Sequence, residues 1–158
     1  MERRRIDLDT DYAALAVMQE RSWEINFPGE LFLEPAFRDA LRMGARWDDM
    51  FAYVDEGRLV GWLWLEWRPS RHRAHIRHIQ VAEEYWGQGY GKRIIADAIA
   101  LAREHGRTMI TLNVTKSNER AMRLYAGFGF RLSREMGPRQ EMRLDLADGM
   151  AVPGCAVG

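Results

Sequence analysis

The sequence predicts an α/β (α+β) fold, in which a mixed, mostly antiparallel sheet of six to seven strands carries about four helices on its two faces. Two kinds of segment indicate this class. Short apolar runs typical of strands alternate with longer stretches that have the 3.6-residue period of amphipathic helices. In addition, residues 73–115 read as strand, glycine turn, helix and strand, a unit that should place its two strands parallel through a right-handed connection.

The N-terminal third is predicted to contain one strand and two helices. The strand covers Arg4 to Leu8, and Asp9 or Thr10 can cap the helix that follows it. The apolar side of that helix consists of Leu15, Met18, Ser22 and Ile25. A loop at residues 27–30 ends it, and a second helix runs from about Pro35 to Met43.

A hairpin comes next, with strands at Met50 to Val54 and Leu59 to Trp67 around a turn at residues 55–58. The second strand is apolar on nearly both faces, which indicates a position inside the sheet.

The strand from Arg73 to Val81 breaks the two-residue period of a regular strand. Ile76 and Ile79 are three residues apart, so they would point to opposite faces. One extra residue near Arg77-His78, a β-bulge, would return both to one face. The alternative is an edge strand with polar residues on both faces.

The rest of the chain predicts two helices and three strands. A helix follows the turn at residues 86–92 and ends at Gly106. Its apolar stripe consists of Ile94, Ile95, Ala98, Leu101, Ala102 and His105. A strand at Met109 to Thr115 precedes a short helix that Ser117 or Asn118 caps and Gly127 ends. The closing strands are Phe130 to Met136 and Glu141 to Leu146, around Gly137-Pro138.

Length and composition fit a single domain over residues 1–146 with a flexible tail at 147–158. The 23 basic residues balance the 23 acidic ones, so no overall charge favours nucleic acid or an anionic membrane. No apolar run approaches the ~20 residues of a membrane span. The first residues do not resemble a signal peptide, and the single cysteine, Cys155, suits a reducing compartment. These features predict a cytoplasmic protein.

The turn Trp86-Gly87-Gln88-Gly89-Tyr90-Gly91-Lys92 is a candidate anion site, because a helix start presents free N–H groups and glycines let a phosphate approach the backbone. A tight turn that serves packing alone is the other interpretation. The motif is not a P-loop, since Arg93 follows Lys92, and its G-x-G-x-G spacing departs from the dinucleotide motif.

Three pieces of the sequence between about Asp49 and Leu146 resemble the GCN5-related N-acetyltransferase (GNAT) family. The first is Ile79-Gln80-Val81 followed by WGQGYG, which is similar to that family's acetyl-CoA motif Q/R-x-x-G-x-G/A. The second is Leu112-Asn113-Val114 followed by Asn118, Ala121 and Tyr125, and the third is Gly127-Phe128-Gly129-Phe130. One departure stands out, because Trp86 occupies the opening Gln/Arg position.

The resemblance implies the GNAT acyl-CoA N-acyltransferase fold and acetyl-CoA as co-substrate, with no metal. It places the pantetheine arm in a gap between the bulged strand and the next parallel strand. The implied cofactor-binding residues are Ile79, Gln80, Val81, Gly87, Gln88, Gly89, Tyr90, Gly91, Lys92, Asn118 and Tyr125.

The resemblance also implies roles in catalysis, which proceeds by direct attack of an amine on the thioester. The backbone N–H of Val81 would polarise the acetyl carbonyl, and Asn118 would bond the pantetheine arm. Tyr125 would protonate the leaving thiolate, a task that suits a phenol with a pKa of about 10. The alternative for Tyr125 is a core residue on a short helix.

The general base is left open between His78, Glu66 and an ordered water. His78 takes the place of the acid that many relatives carry on the bulged strand, and Glu66 has tryptophan neighbours that would raise its pKa. His72, His75 and His78 recur every third residue, but a strand would spread them over both faces, which argues against a metal.

The acceptor is predicted to be an amine, either on a small molecule or at a protein N-terminus, bound near the segment Trp23 to Phe37. Its aromatic residues could form a wall and Glu24, Glu30 and Glu34 could attract a cation; equally, the aromatics are core and the acids solvated. Neither a membrane nor nucleic acid is an expected partner, although Arg68 to Arg77 is basic. A homodimer and a monomer both stay open, as does a binding module of this fold without turnover.

Overall fold

The protein is described by a computed structural model over residues 1–68 and 70–146. In that part of the chain seven strands form one sheet in the order β1-β2-β3-β4-β5-β7-β6. The strands are β1 (Glu2–Arg5), β2 (Asp49–Asp55), β3 (Arg58–Glu66), β4 (Arg73–Val81), β5 (Met109–Thr115), β6 (Arg131–Met136) and β7 (Arg139–Asp145). The helices are α1 (Leu8–Asn26), α2 (Glu34–Gly44), α3 (Tyr90–Glu104) and α4 (Glu119–Gly127), with a short 3-10 turn at Glu83–Tyr85. The predicted tail, residues 147–158 with Cys155, lies outside the described residues.

The sheet is antiparallel except where β4 pairs with β5, which confirms the predicted class and element order. Helices cover both faces. On one face α3 and α4 pack on the larger apolar core, to which Ile95 and Ile110 belong. On the other face α1 and α2 pack on a smaller core around Trp62 and Trp64. The fully buried side chains of β3 supply both cores, as its apolar sequence indicated.

The predicted start of the chain needs a correction. The first strand ends at Arg5, and α1 begins at Leu8. The carboxylate of Asp7 accepts a hydrogen bond of 3.0 Å from the backbone N–H of Asp9, so Asp7 is the cap and Asp9 and Thr10 are not. Ile6 and Leu8 pack against the smaller core, and their apolar character therefore did not mark a strand.

The predicted bulge in β4 is confirmed, and the edge-strand alternative is wrong. Trp64 of β3 pairs with His78, whereas the next residue, Leu65, pairs with Ile76, which leaves Arg77 as the extra residue. Ile76 and Ile79 consequently both pack on the core under α3. Since β4 lies between β3 and β5, it is an interior strand.

The last strand begins two residues earlier than predicted. Arg139 and Gln140 pair with Thr115 and Val114, so they belong to β7 and not to the connection before it. The turn is Gly137-Pro138, with Gly137 at a φ of 66°. Arg139 and Gln140 are polar and directly follow the turn. The alternation of polar and apolar residues that marks a strand is recognisable only from Glu141 and Met142 onward.

Candidate active site

A pocket lies between β4 and β5, where the two parallel strands separate. Their pairing runs from Arg73 with Met109 to Ile76 with Leu112 and stops there, although both strands continue. Residues beyond that point on both strands line the pocket, which has a volume of about 140 Å³. The bulge at Arg77 begins where the pairing ends, so it is this extra residue that turns β4 away from β5.

The backbone of β4 presents donors to this gap. Ala82 donates its N–H to the carbonyl of Val60 on β3 at 2.9 Å. Because ladder bonds alternate along an antiparallel pair, the N–H groups of Ile79 and Val81 point away from β3, towards the side where β5 has separated. The side chain of Gln80 turns the other way, to Trp62 and Gln19. The backbone N–H groups of Ile79 and Val81, rather than the side chain of Gln80, are thus available to a ligand.

The glycine turn joins β4 to α3 and leaves its amides open. Gly87 and Gly89 have φ angles of 79° and 85°, and a Cβ on either would meet no atom within 4 Å. Arg93 donates to the carbonyl of Gly89 at 3.3 Å, which is the first backbone bond of α3. The N–H groups of Tyr90, Gly91 and Lys92 therefore have no carbonyl partner within the helix, and they face the space beside the two glycines. This geometry suits a phosphate.

Gly91 and Tyr90 fix the position of the turn relative to α4 and β2. A Cβ on Gly91 would lie 3.4 Å from Leu124 of α4, so α3 and α4 approach closely here. The hydroxyl of Tyr90 donates a bond of 2.6 Å to Asp55 at the end of β2, which anchors the first turn of α3. Gln88 and Lys92 are exposed beside the turn.

Trp86 occupies the position at which the sequence departs from the family motif. Its indole N–H donates to the carbonyl of Val81 at 2.8 Å. The guanidinium groups of Arg21 from α1 and Arg120 from α4 lie 5.6 and 5.2 Å from the centre of its ring system. Trp86 therefore stacks with two arginines at the side of the turn, of which Arg21 is also paired with Glu24 and Glu83, where the motif would have supplied one polar side chain.

Asn118 caps α4 and links it to α1. Its side-chain oxygen accepts from the N–H of Ala121 at 3.2 Å, so the predicted cap is confirmed at Asn118 and not at Ser117. Its amide nitrogen donates to Asn26 at 3.1 Å, and both side chains line the pocket. This hydrogen bond holds the last turn of α1 next to the gap between β4 and β5.

Tyr125 is buried in the pocket wall, with 8% of its surface exposed. Its ring packs 5.9 Å from that of Phe130, which belongs to the core under α4. Burial raises the pKa of its hydroxyl to about 12. The phenol is consequently protonated at every pH at which the protein would normally act.

The two candidate bases lie in different surroundings. His78 lines the pocket, stacks 5.4 Å from Trp62 and is flanked by Phe37 and Trp64. Burial lowers the pKa of its imidazole to about 3, so the ring is neutral. Glu66 pairs with Arg77 at 3.6 Å and is not part of the pocket lining. Partial burial raises the pKa of its carboxyl.

The structure adds lining residues that the sequence analysis did not propose for the site, among them Asn26, Asn113 and Arg139. The side-chain oxygen of Asn113 is buried without a hydrogen-bond partner among the described residues. Asn113 stood within the family resemblance, and its polar side chain in an apolar strand was a usable signal. Arg139 had none, because its strand was predicted to begin after it.

The segment from Trp23 to Phe37 lies beside the pocket but contributes no lining residue beyond Asn26. Its aromatic side chains pack in a row, with ring distances of 4.4 Å from Trp23 to Phe27 and 6.0 Å from Trp23 to Phe32. Glu24 and Glu34 pair with Arg21 and Arg38.

The described residues contain neither a metal-binding cluster nor a membrane-spanning helix. No group of three or more histidines, cysteines or acids could hold a metal ion there; His75, for example, contacts Thr111, with 2.8 Å between Nδ1 and the hydroxyl oxygen. Among the helices at residues 1–68 and 70–146, none is both long and apolar enough to cross a bilayer.

The chain is similar to known proteins in part of its sequence and in its architecture. The aligned region is 34% identical over 79 residues to an uncharacterized N-acetyltransferase, YycN, of Bacillus subtilis, covering 49% of this chain and 51% of that protein. It is 31% identical over 102 residues to a glucosamine 6-phosphate N-acetyltransferase of Trypanosoma brucei brucei, covering 61% and 64%. The chain thus matches less than two thirds of the length of these curated relatives.

The fold is shared with a solved structure of the PaiA N-acetyltransferase of Thermoplasma acidophilum in complex with coenzyme A. The TM-score is 0.73 at 18% identity, over 91% of this chain and 98% of that one. The family model described as Acetyltransferase (GNAT) family matches residues 13–130, which is well over half of the sequence. The chain therefore belongs to the GNAT acetyltransferase family.

Proposed function

We propose that this protein transfers the acetyl group of acetyl-CoA to a primary amine by direct attack within a ternary complex. The observation that carries the proposal is the combination of two features that follow one another along the chain between β4 and α3: the open amides of the glycine turn and the gap between β4 and β5. One suits the pyrophosphate of a coenzyme A and the other a narrow arm with amide groups. The solved relative from Thermoplasma acidophilum contains coenzyme A, which supports the same ligand here.

The residues present fit this co-substrate. Space beside Gly87 and Gly89, together with the unpaired N–H groups of residues 90–92, can hold the pyrophosphate, and Lys92 adds a positive charge. The N–H of Ile79 and the amides of Asn113 and Asn118 can bond the pantetheine arm. The orphaned oxygen of Asn113 would gain the donor that it otherwise lacks.

For the chemical step, the N–H of Val81 would donate to the acetyl carbonyl oxygen as negative charge develops on it. The amine nitrogen forms a bond to the carbonyl carbon and the carbon–sulfur bond breaks. Tyr125, protonated in its buried position, gives its proton to the sulfur. We assign this role to Tyr125 because it lines the pocket and carries an ionisable hydroxyl that is protonated at neutral pH.

The amine must lose a proton, and the pocket favours His78 over Glu66 as its acceptor. His78 lines the pocket as a neutral ring, which can accept a hydrogen bond from the amine or from a water next to it. Its low pKa makes it too weak a base to keep the proton, so an amine that arrives neutral would pass the proton lost on attack through His78 or that water to solvent, and Tyr125 would regain a proton from solvent. Glu66 is committed to Arg77.

The test is calorimetric titration with acetyl-CoA, followed by an amine panel that detects released thiol. Gly89→Trp would fill the space beside the turn, and Gly106→Trp is its matched control. Both glycines have a positive φ and open space around a Cβ, but Gly106 lies at the other end of α3. We expect micromolar binding by the wild type and Gly106→Trp, and none by Gly89→Trp.

Equal binding by the Gly89 and Gly106 variants, or none by the folded wild type, would overturn the cofactor site. Binding without thiol release from any amine would contradict catalysis and favour a binding module of this fold.

A further inference from the structure

The charged residues that line the pocket are all basic. The residues that line it include two arginines, Arg77 and Arg139, and within residues 1–68 and 70–146 they include no acidic residue. A site built for a polycationic amine would be expected to carry acids. The positive lining instead suits a ligand with a negative charge of its own.

Arg139 is the unusual member of this pair. Arg77 pairs with Glu66. Two other arginines of the sheet also have carboxylate partners, since Arg73 pairs with Glu141 and Arg143 pairs with Asp145. Arg139 has no carboxylate within 4.0 Å in the described part of the chain. Its side chain makes one hydrogen bond there, from a terminal nitrogen to the carbonyl of Asn113 at 3.3 Å. A guanidinium in this position lacks the anion that normally balances it.

The orientation of Arg139 also leaves a donor unused. Its Nε is buried without a hydrogen-bond partner, while its guanidinium lies 5.2 Å from the centre of the Phe27 ring at the end of α1. Phe27 fixes the flat group in place, and a planar fork held in this way matches a carboxylate or phosphate. The burial that lowers the pKa of Arg139 strengthens any charge pair formed there, since arginine stays protonated.

The position of Arg139 connects it to the reacting groups. It lines the same pocket as Tyr125 and His78, the two residues proposed to act on protons in the reaction. Arg139 lies on β7 opposite Thr115 of β5, and the hydroxyl of Thr115 donates to the carbonyl of Asn26 in α1 at 3.3 Å, so Arg139 is on the face of the sheet that α1 covers. An anion bound there would hold an attached amine within the pocket.

We propose that the acceptor is an amine that carries an anionic oxygen group, a carboxylate or a phosphate, and that Arg139 binds this group. The inference rests on the proposed acetyl transfer and specifies its substrate class. Arg139 is then a specificity residue, and its contribution disappears when the anion is removed from the acceptor.

A second role for Arg139 would give a different result. A positive charge beside Tyr125 could assist departure of the thiolate whatever the amine is. In that case its removal would slow every acceptor by the same factor, and the inference would be wrong.

The experiment compares acceptors in pairs that differ only in the anion. Methionine and methioninamide test the carboxylate, and glucosamine 6-phosphate and glucosamine test the phosphate. For each amine kcat/KM is measured with the wild type, Arg139→Gln and Arg139→Lys. Arg143→Gln is the matched control, since Arg143 lies on the same face of β7 with a carboxylate partner of its own.

We expect Arg139→Gln to lower kcat/KM for the anionic member of the preferred pair by roughly 10- to 100-fold, the range of a lost charged hydrogen bond. The neutral member should change less than about threefold, Arg139→Lys should recover part of the loss, and Arg143→Gln should behave as wild type. The ratio of variant to wild type is taken for each amine separately, so the difference in basicity between the two amines of a pair cancels. The pair that responds identifies carboxylate or phosphate.

Calorimetric titration of the protein with the same amines, with and without coenzyme A, separates this inference from acetyl transfer itself. If no amine releases thiol, the proposed function fails, yet Arg139-dependent binding of the anionic members would still support the anion site. Equal binding of charged and neutral members, or an equal loss for both in Arg139→Gln, would overturn it.

Discussion

The indole N–H of Trp86 donates a hydrogen bond of 2.8 Å to the carbonyl oxygen of Val81, the last residue of β4. This bond spans the connection between the strand and the glycine turn, so the two segments proposed to bind the cofactor are held at a fixed separation. The same ring carries Arg21 and Arg120. The residue that departs from the family motif is therefore a structural support of the turn.

Replacement of Trp86 should weaken cofactor binding in two steps. Trp86→Phe removes the bond to Val81 and keeps an aromatic face for the arginines, and we expect the Kd for acetyl-CoA to rise a few-fold. Trp86→Ala removes both, and we expect a rise of about 10-fold or more, in line with a lost hydrogen bond and two weakened cation–π contacts. Calorimetric titration measures both. Trp47→Phe, at an exposed tryptophan, is the control, and wild-type affinity in Trp86→Ala would contradict this account.

Tyr125→Phe should separate binding from catalysis. The ring keeps its packing against Phe130 while the proton donor is lost, so we expect kcat to fall by about 10²-fold or more, with little change in the Kd for acetyl-CoA. Because the pKa of Tyr125 is raised to about 12, ionisation of this group should cause no loss of wild-type activity between pH 7 and about pH 10. Thiol release across this range measures both effects. Unchanged kcat in Tyr125→Phe would exclude its role as the acid.

Two histidines should make the protein less stable in acid. Burial lowers the pKa of His78 to about 3 and of His75 to about 4, below the ~6.5 of an unfolded chain. The unfolded state therefore binds more protons below about pH 6.5, and the free energy of unfolding should fall as pH drops from there towards 4. Each histidine contributes at most about 1.4 kcal/mol per pH unit.

The measurement for this prediction is urea unfolding at several pH values. His78→Phe should flatten the slope between pH 6.5 and 4, whereas His72→Gln, at an exposed position, should leave it unchanged. The same slope in His78→Phe as in the wild type would show that the ring of His78 is protonated in the folded protein.

Gly61→Ala should destabilise the centre of the sheet. A Cβ at this position would lie 2.6 Å from the carbonyl oxygen of Gln80 and 2.8 Å from Ile94 of α3, so β4 or α3 would have to shift. We expect a loss of about 1–3 kcal/mol in the free energy of unfolding. Gly127→Ala is the control, because a Cβ there meets nothing within 4 Å and the backbone conformation is ordinary. Equal stability of the two variants would contradict the close approach.

The sequence predicted elements where an apolar period or a special residue type marked them. The phase break between Ile76 and Ile79 located the bulge, and the glycines located the start of α3. Polar residues that continue a strand left no such mark, so β7 was predicted without Arg139. The start of α1 was misplaced because Ile6 and Leu8 are apolar for packing against a helix-covered core and not for pairing in a strand.

The residues of the candidate site, like the elements of the fold, were predictable where a local sequence pattern marked them. Residues in the glycine turn and on α4 stood in recognisable spacings, and Asn118 and Tyr125 line the pocket with β4. Arg139 and Asn26 come from distant parts of the chain and meet at the pocket only through the register of β7 with β5 and the seating of α1. Such meetings depend on tertiary contacts that no local pattern records.

Because of the bulge at Arg77, the number of residues in β4 matters more than which residue occupies position 77. Any residue at position 77 keeps the count that directs Ile79 and Val81 to one core and His78 and Gln80 to the other side. Deletion of that single residue would act on the fold as a frameshift acts on a gene, because every side chain from 78 to 81 would exchange faces. The opening between the parallel strands is thus encoded by the number of residues in β4.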